Sequence, residues 1–386
     1  MFQRTQKINL SPIKDIEIRA SKIPNVVSLA QGIPSFDTDE TIKRAAIKAI
    51  KEGKVAKYSL SPGMPVLREA IEENLAKENM FYDFESEIII TCGAIEAITA
   101  TLIAILDPQD EVLIPSPTYT SYQEAIKVAG GIPVFVDLIE ENGWSFSIKN
   151  FEQKISSKTK AILFCNPNNP TGTIYTKKQL LKLADLAQKH NLFILSDEVY
   201  KDFIYEKKGD NFFSLAQIPE LRKTVIRIFS FSKAYSMTGW RIGFLHSDVS
   251  NVKEILKIHD SLVTCAPVVS QYAALEALDI NQDTIKHYKQ QYEKRRELIC
   301  GRLDRLKNFF SYQKPNSSYF VFPRYKLKED SWTFSLNLLE KSGVAVVPGV
   351  AFGPNGEHHV RMSFGRTTKD INESFDRIEK YLKKYF

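Results

Sequence analysis

Cysteine is scarce in this chain: Cys92, Cys165, Cys265 and Cys300 are the only four in 386 residues. They lie far apart and form no Cys-x-x-Cys pair. That spacing argues against a disulfide framework or a zinc ribbon, and for reduced thiols in a cytoplasmic protein. Histidine is also sparse, with six residues. His358 and His359 are adjacent, but there is no His-Glu-x-x-His or other ligand-spaced cluster, so no metal is expected. Long apolar runs are missing. None approaches the roughly 20 residues that cross a bilayer, and Met1–Ala20 lacks the apolar region of a secretory signal. The 52 basic and 46 acidic residues leave a mild charge of +6 spread along the chain. With no Lys/Arg block or basic helix, a nucleic-acid partner is not indicated, and the positive balance is a weak pointer to anionic small substrates. Repeats, low-complexity tracts and flexible linkers are absent as well.

What the chain does have is an ordinary globular composition, 43% hydrophobic and 25% charged. Its length exceeds the usual single-core size, so two lobes are expected. From about residue 85 to His246, short apolar runs alternate with helical stretches. The runs are Glu87–Thr91, Glu111–Pro115, Ile132–Asp137, Lys160–Cys165, Leu192–Ser196, Thr224–Ser230 and Ile242–His246. Near-continuous apolar strands separated by helices predict an α/β domain with a mostly parallel, helix-covered sheet. Between two of the runs, Lys177–His190 carries Leu180, Leu181, Leu183, Ala184, Leu186 and Ala187 at helical spacing. Further on, a helix-rich stretch over Gln271–Phe309 precedes short strands at Tyr319–Pro323, Val344–Val347 and Val360–Ser363 and a charged helix over Lys369–Lys384. This pattern predicts a smaller α+β lobe. The expected division is a large domain over 45–280 and a small one built from 1–44 and 281–386.

Polar and glycine-containing clusters follow the strands, at the sheet edge where open α/β folds bind ligands. They are Cys92-Gly93-Ala94-Ile95-Glu96-Ala97, Asn166-Pro167-Asn168-Asn169-Pro170-Thr171-Gly172, Asp197-Glu198-Val199-Tyr200, and Ser230-Phe231-Ser232-Lys233 with Met237-Thr238-Gly239-Trp240-Arg241-Ile242-Gly243. Singly, each has a plain structural reading: a solvated lysine, a helix N-cap, a tight turn. Their joint occurrence, in this order at one edge, does not.

Together these segments resemble the class I/II aminotransferases of the pyridoxal 5′-phosphate (PLP) fold-type I superfamily, over nearly the whole chain from Asn25 onward. The resemblance implies a PLP Schiff base on Lys233, with Arg241, Ser230 and Ser232 holding the phosphate. It implies Asp197 beside the pyridine nitrogen, and Tyr200 and Asn169 on the phenolic oxygen. It further places Gly93, Ala94 and Ile95 at the phosphate as a helix N-terminus, and Tyr119 against the ring. Tyr58 is implied to reach the phosphate of a neighbouring subunit, which makes a homodimer the expected unit. Arg361 is implied to grip the substrate α-carboxylate, with Gly32 and Asn169 lining the same pocket.

The residue types suit that chemistry. A carboxylate at Asp197 keeps a pyridinium protonated, and a displaced Lys233 becomes a general base. A planar guanidinium at Arg361 makes two parallel charge-assisted bonds to a carboxylate; Arg366 is its nearby competitor. Two positions depart from relatives. Ile95 stands where an aspartate-preferring subgroup has the lysine that holds a distal carboxylate, which favours a neutral, apolar or aromatic donor, with 2-oxoglutarate as the expected acceptor. Ser317-Ser318 stands where Gly-Ala is common, near the carboxylate pocket. The alternatives are an aspartate aminotransferase, a C–S β-lyase or a decarboxylating or cyclising synthase on the same scaffold, and a non-enzymatic regulator. The last is disfavoured because only about forty residues precede Thr41, too few for a winged-helix domain.

Overall fold

The computed structural model describes residues 5–205, 212–280 and 282–385. The chain ends and residue 281, where the second lobe was expected to resume, lie outside the described residues. A seven-stranded sheet forms from β1 (Ile88–Thr91), β2 (Glu111–Ser116), β3 (Ile132–Asp137), β4 (Thr159–Cys165), β5 (Phe193–Asp197), β6 (Val225–Ser230) and β7 (Gly243–His246). Their spatial order is β1-β7-β6-β5-β4-β2-β3. The neighbours β6-β5-β4-β2-β3 pair in parallel, whereas β7 runs antiparallel to both β6 and β1. The expected runs are therefore strands, with ends shifted by a residue or so.

Burial on both faces explains why these strands read as continuous apolar runs. In β4, Ile162 and Phe164 enter one core while Ala161, Leu163 and Cys165 enter the other. The edge strand β3 is less buried and carries Pro133, which costs least where no partner needs its missing N–H. Helix Lys177–Lys189 opens with a capping box between Thr176 and Gln179 and buries Leu180, Leu183, Ala184, Leu186 and Ala187.

The rest of the chain differs in detail from expectation. The helix-rich stretch over Gln271–Phe309 consists of two helices, Val268–Asp279 and Gln282–Arg305. Val344–Val347, expected as one strand, is not a single strand. Val344–Ala345 pairs in parallel with Val27–Ser28, and Val347–Pro348 pairs antiparallel with Val360–Ser363, so the chain changes sheets at Val346. Helix Glu40–Lys51, capped by Asp39, runs across positions 44 and 45 and packs along Val268–Asp279.

Beneath the edge where β5 ends, Glu198 and Arg227 form an ion pair, both about 1% exposed. Ser196 and Ser214 donate to Glu198 Oε1 at 2.9 and 2.7 Å, and His246 Nε2 lies 3.2 Å from Arg227 Nη1. Burial and the arginine hold His246 well below its usual pKa, so it is neutral. Removing one partner of such a pair strands a buried charge. Arg227→Met is expected to cost about 3–5 kcal/mol, read from the urea midpoint; a loss below about 1 kcal/mol would show that the pair supports little.

Candidate active site

The clusters meet because of strand direction. Strands β2, β4, β5 and β6 end at one edge of the sheet. The antiparallel β7 begins there, and β1 ends there, with Gly243 in register with both Thr91 and Ser230. Residues from all of these ends line a cavity of about 520 Å³, closed from the far side by Gly32, Phe320 and Arg361.

Asp197 is the last residue of β5 and is 3% exposed. Its Oδ2 accepts from the Tyr122 hydroxyl at 2.6 Å, and its Oδ1 from the Val199 N–H at 3.3 Å. Burial outweighs these bonds and pushes the carboxyl up to about 6. The Tyr122 phenol is held far above its usual range by the same burial, so it stays a donor. Sequence reasoning missed Tyr122. The available signal was its spacing, three residues after Tyr119 at the start of helix Ser121–Val128, where the two rings meet edge to face at 5.4 Å.

Lys233 sits on the four-residue helix that follows β6, capped by Ser230, whose hydroxyl accepts the Ser232 N–H at 3.2 Å. The lysine Nζ donates to the Gly32 carbonyl at 2.9 Å. Burial is the main cause, and Arg361 and Arg241 add to it, in lowering the amine to about 8 despite the opposing pull of Asp197. Tyr319 also donates to Gly32 O, at 3.1 Å, a second contact the sequence did not disclose. Gly32 has no room for a side chain, since a Cβ there would lie 2.8 Å from Phe320.

Arg361, on Val360–Ser363, is fully buried. Its Nη1 donates to Asn169 Oδ1 at 3.2 Å, its Nη2 donates to the Ala30 carbonyl, and its Nε has no partner among the described residues. Phe320 and Phe352 lie 4.4 and 5.1 Å from the guanidinium. Burial lowers its pKa to about 10, which still leaves it charged at neutral pH. Asn169 Nδ2 in turn donates to the Tyr200 hydroxyl at 3.4 Å. Arg366 is not at the cavity; it faces Asp370 at 3.5 Å.

At the other end, Gly93 caps helix Ala94–Ile105 with φ +81°, and a Cβ there would sit 2.7 Å from Arg241 Nη2. Arg241 donates to the carbonyls of Thr238 and Cys92 at 3.1 and 3.2 Å. The guanidinium thus lies over a glycine at a helix N-terminus, a cup suited to a dianion, with Ser230 and Ser232 beside it. Tyr119 lines the same cavity.

Tyr58 is 84% exposed and lies outside this protomer's cavity, which leaves the expected role at a neighbouring subunit's phosphate untouched. One expectation comes out differently: Ser317 and Ser318 do not line the cavity. The Ser317 hydroxyl donates to Gly172 O at 2.8 Å and the Ser318 N–H to Phe203 O at 2.8 Å, bracing the Asn169 loop from behind.

The sequence matches the aminotransferase class I and II family over residues 24–378. The chain belongs to that family. It is 38% identical to an aromatic-amino-acid aminotransferase 2 from Thermococcus litoralis, over 99% of this chain and 98% of that one. It is 36% identical to an aspartate aminotransferase from Pyrococcus abyssi, over 99% and 98%. The structure superposes with a TM-score of 0.92 on an aspartate aminotransferase from Thermus thermophilus with maleate, 32% identical and covering 99% of each chain. This protein is accordingly an aminotransferase, with the fold of that enzyme class.

The raised Asp197 carboxyl makes a prediction about stability. Its folded pKa of about 6 exceeds the ordinary 3.8, so it favours folding below pH 4 and that contribution is lost as pH rises through 6. In the cofactor-free protein at pH 7, Asp197→Asn is expected to raise stability by up to about 3 kcal/mol and to flatten its fall between pH 4 and 6. Thermal unfolding across that range checks it; an unchanged profile would show the carboxylate is not desolvated.

Proposed function

We propose that this enzyme is a PLP-dependent aminotransferase that moves the amino group of a neutral, apolar or aromatic L-amino acid to a 2-oxo acid such as 2-oxoglutarate. The observation carrying it is one cavity that holds a buried lysine of lowered pKa, a buried carboxylate, and a guanidinium that no carboxylate contacts among the described residues. The residues fit PLP. The Gly93–Arg241 cup and the two serines match a phosphate, Asp197 matches a ring N–H, and Tyr200 with Asn169 matches a phenolate.

When bound, the cofactor supplies the electron sink for the Cα–H bond of the substrate. Asp197 stabilises a positive ring nitrogen, an interaction that recovers the cost of its own burial. The Tyr200 hydroxyl, held protonated by burial, remains a hydrogen-bond donor throughout. The Lys233 amine would take up the Cα proton of the substrate and return it on the far side of the transferred nitrogen; a pKa of about 8 leaves an appreciable neutral fraction near pH 7. Arg361 orients the α-carboxylate with two parallel bonds. Donor choice rests on the wall formed by Ile13, Ile33, Ile95, Ile98 and Phe320, which offers apolar contact to a side chain.

The wider arrangement follows from the same reading. The active unit is a cytoplasmic homodimer in which Tyr58, exposed on one protomer, reaches the phosphate cup of the other. The large domain spans about 45–280 and the small one 1–44 with 281–386, except that helix Glu40–Lys51, which crosses the first boundary and packs on Val268–Asp279, goes as a unit with the large domain.

Lys233→Ala is expected to abolish the imine absorbance and to lower turnover at least 10³-fold. In the unaltered enzyme, borohydride should fix a mass increment on the Lys233 peptide. A labelled peptide from any other lysine refutes the assignment. Arg361→Lys should weaken kcat/KM by about 10–100-fold for every donor alike, and a change confined to one side-chain class would place Arg361 elsewhere in the site.

A further inference from the structure

Donor and acceptor of a transamination occupy the same site in turn, so a pocket walled by isoleucines must also accommodate the second carboxylate of a dicarboxylic oxo acid. Four cationic side chains line the cavity: Lys14, Lys233, Arg241 and Arg361. The functional reading above engages three of them, at the imine, the phosphate cup and the α-carboxylate. Lys14 is left over.

Lys14 stands in the first turn of helix Pro12–Ala20, a position where the helix dipole disfavours a cation. Helix stability therefore does not explain it. The start of that helix is fixed against the site: the hydroxyls of Ser11 and Thr120 lie 3.5 Å apart, next to Tyr119, and Asn9 N–H donates to Glu124 Oε2 at 2.9 Å. One turn on, Glu17 also lines the cavity, but two donors hold its carboxylate, Ser28 Oγ at 2.6 Å and Gln31 Nε2 at 2.7 Å. Among the described residues no hydrogen bond or ion pair engages the Lys14 ammonium. The side chain is exposed at the cavity mouth.

We infer that Lys14 receives the distal carboxylate of dicarboxylic substrates, above all a five-carbon dicarboxylic 2-oxo acid, in place of the cation that Ile95 cannot supply. This assignment rests on the transaminase reading of the site. An exposed lysine suits a site that serves two substrate classes. With an apolar donor bound, the ammonium stays in water at no desolvation cost and the stem covers apolar wall. With a dicarboxylate bound, the ammonium is the lining cation that, among the described residues, the functional reading leaves free.

The test compares the PLP-loaded enzyme with Lys14→Gln and Lys14→Arg, using 2-oxoglutarate and phenylpyruvate as acceptors for one common donor. Lys14→Gln is expected to lower kcat/KM for 2-oxoglutarate roughly tenfold, mainly through KM, while phenylpyruvate changes less than about twofold. Lys14→Arg should recover most of the loss. Equal losses with both acceptors would mean that Lys14 only steers anions or supports the helix, and no loss with either would mean that the distal carboxylate is held elsewhere; each overturns the assignment alone. If the unaltered enzyme transferred no amino group to either acceptor, the transaminase reading would fall, and this assignment with it.

Discussion

The Arg361 guanidinium is enclosed by two aromatic rings, an amide oxygen and a backbone carbonyl; among the described residues no carboxylate contacts it and one nitrogen is left unpaired. Burying a cation this way is costly unless an anion arrives. The cost is partly met by the quadrupoles of Phe320 and Phe352 and by the distant field of Glu17. The remainder is available to a carboxylate ligand, which finds its donors already aimed and already dry. The same charge acts on Lys233, where it adds to burial in favouring the neutral amine. In the proposed function this one cation therefore prepares both the binding of the substrate and the reactivity of the base.

Asp197 is the mirror case. Its charge is disfavoured by burial, relieved partly by Tyr122, and drawn out fully only by a positive partner. Asp197 raises the Lys233 pKa while Arg361 lowers it, so the amine sits in opposing fields, and burial decides the direction. The cavity stores charge separation that its ligands release. That is costly to the empty fold and useful to catalysis, the trade expected where pKa values are shifted for function.

Much of this was legible in the sequence because two-sided burial writes itself as apolar runs, and because the polar clusters directly follow those runs. The direction of β7 was not legible: Ile242–His246 reads the same whichever way it pairs. The break at Val346 was hidden for a related reason, since four apolar residues do not say that they serve two sheets. Tyr122 was missed because an aromatic on a helix is usually core, and it is core, with only its hydroxyl reaching Asp197. Ser317 and Ser318 looked like pocket residues by position, but their hydrogen bonds go to Gly172 and Phe203, behind the loop that presents Asn169. Local pattern carries burial well, and carries poorly which partner a polar atom finds across the fold.

The antiparallel strand is what allows one arginine and one glycine loop to form a single anion cup. Had β7 run parallel, its start would lie at the opposite edge of the sheet, and Arg241 with it. Register matters as much as direction. Gly243 sits between Thr91 and Ser230, and a Cβ on it would fall 2.6 Å from Phe229 O and 3.1 Å from Gly93 Cα, so no larger residue can occupy that rung. Sliding β7 by one residue would put Ile242 there and turn its apolar side chains to the wrong faces. The glycine thus holds Arg241 two residues before the rung, above Gly93. The sterics of three backbone strands fix where the Gly93–Arg241 cup forms, and the distance from that cup to Lys233 follows from the short turn after β6.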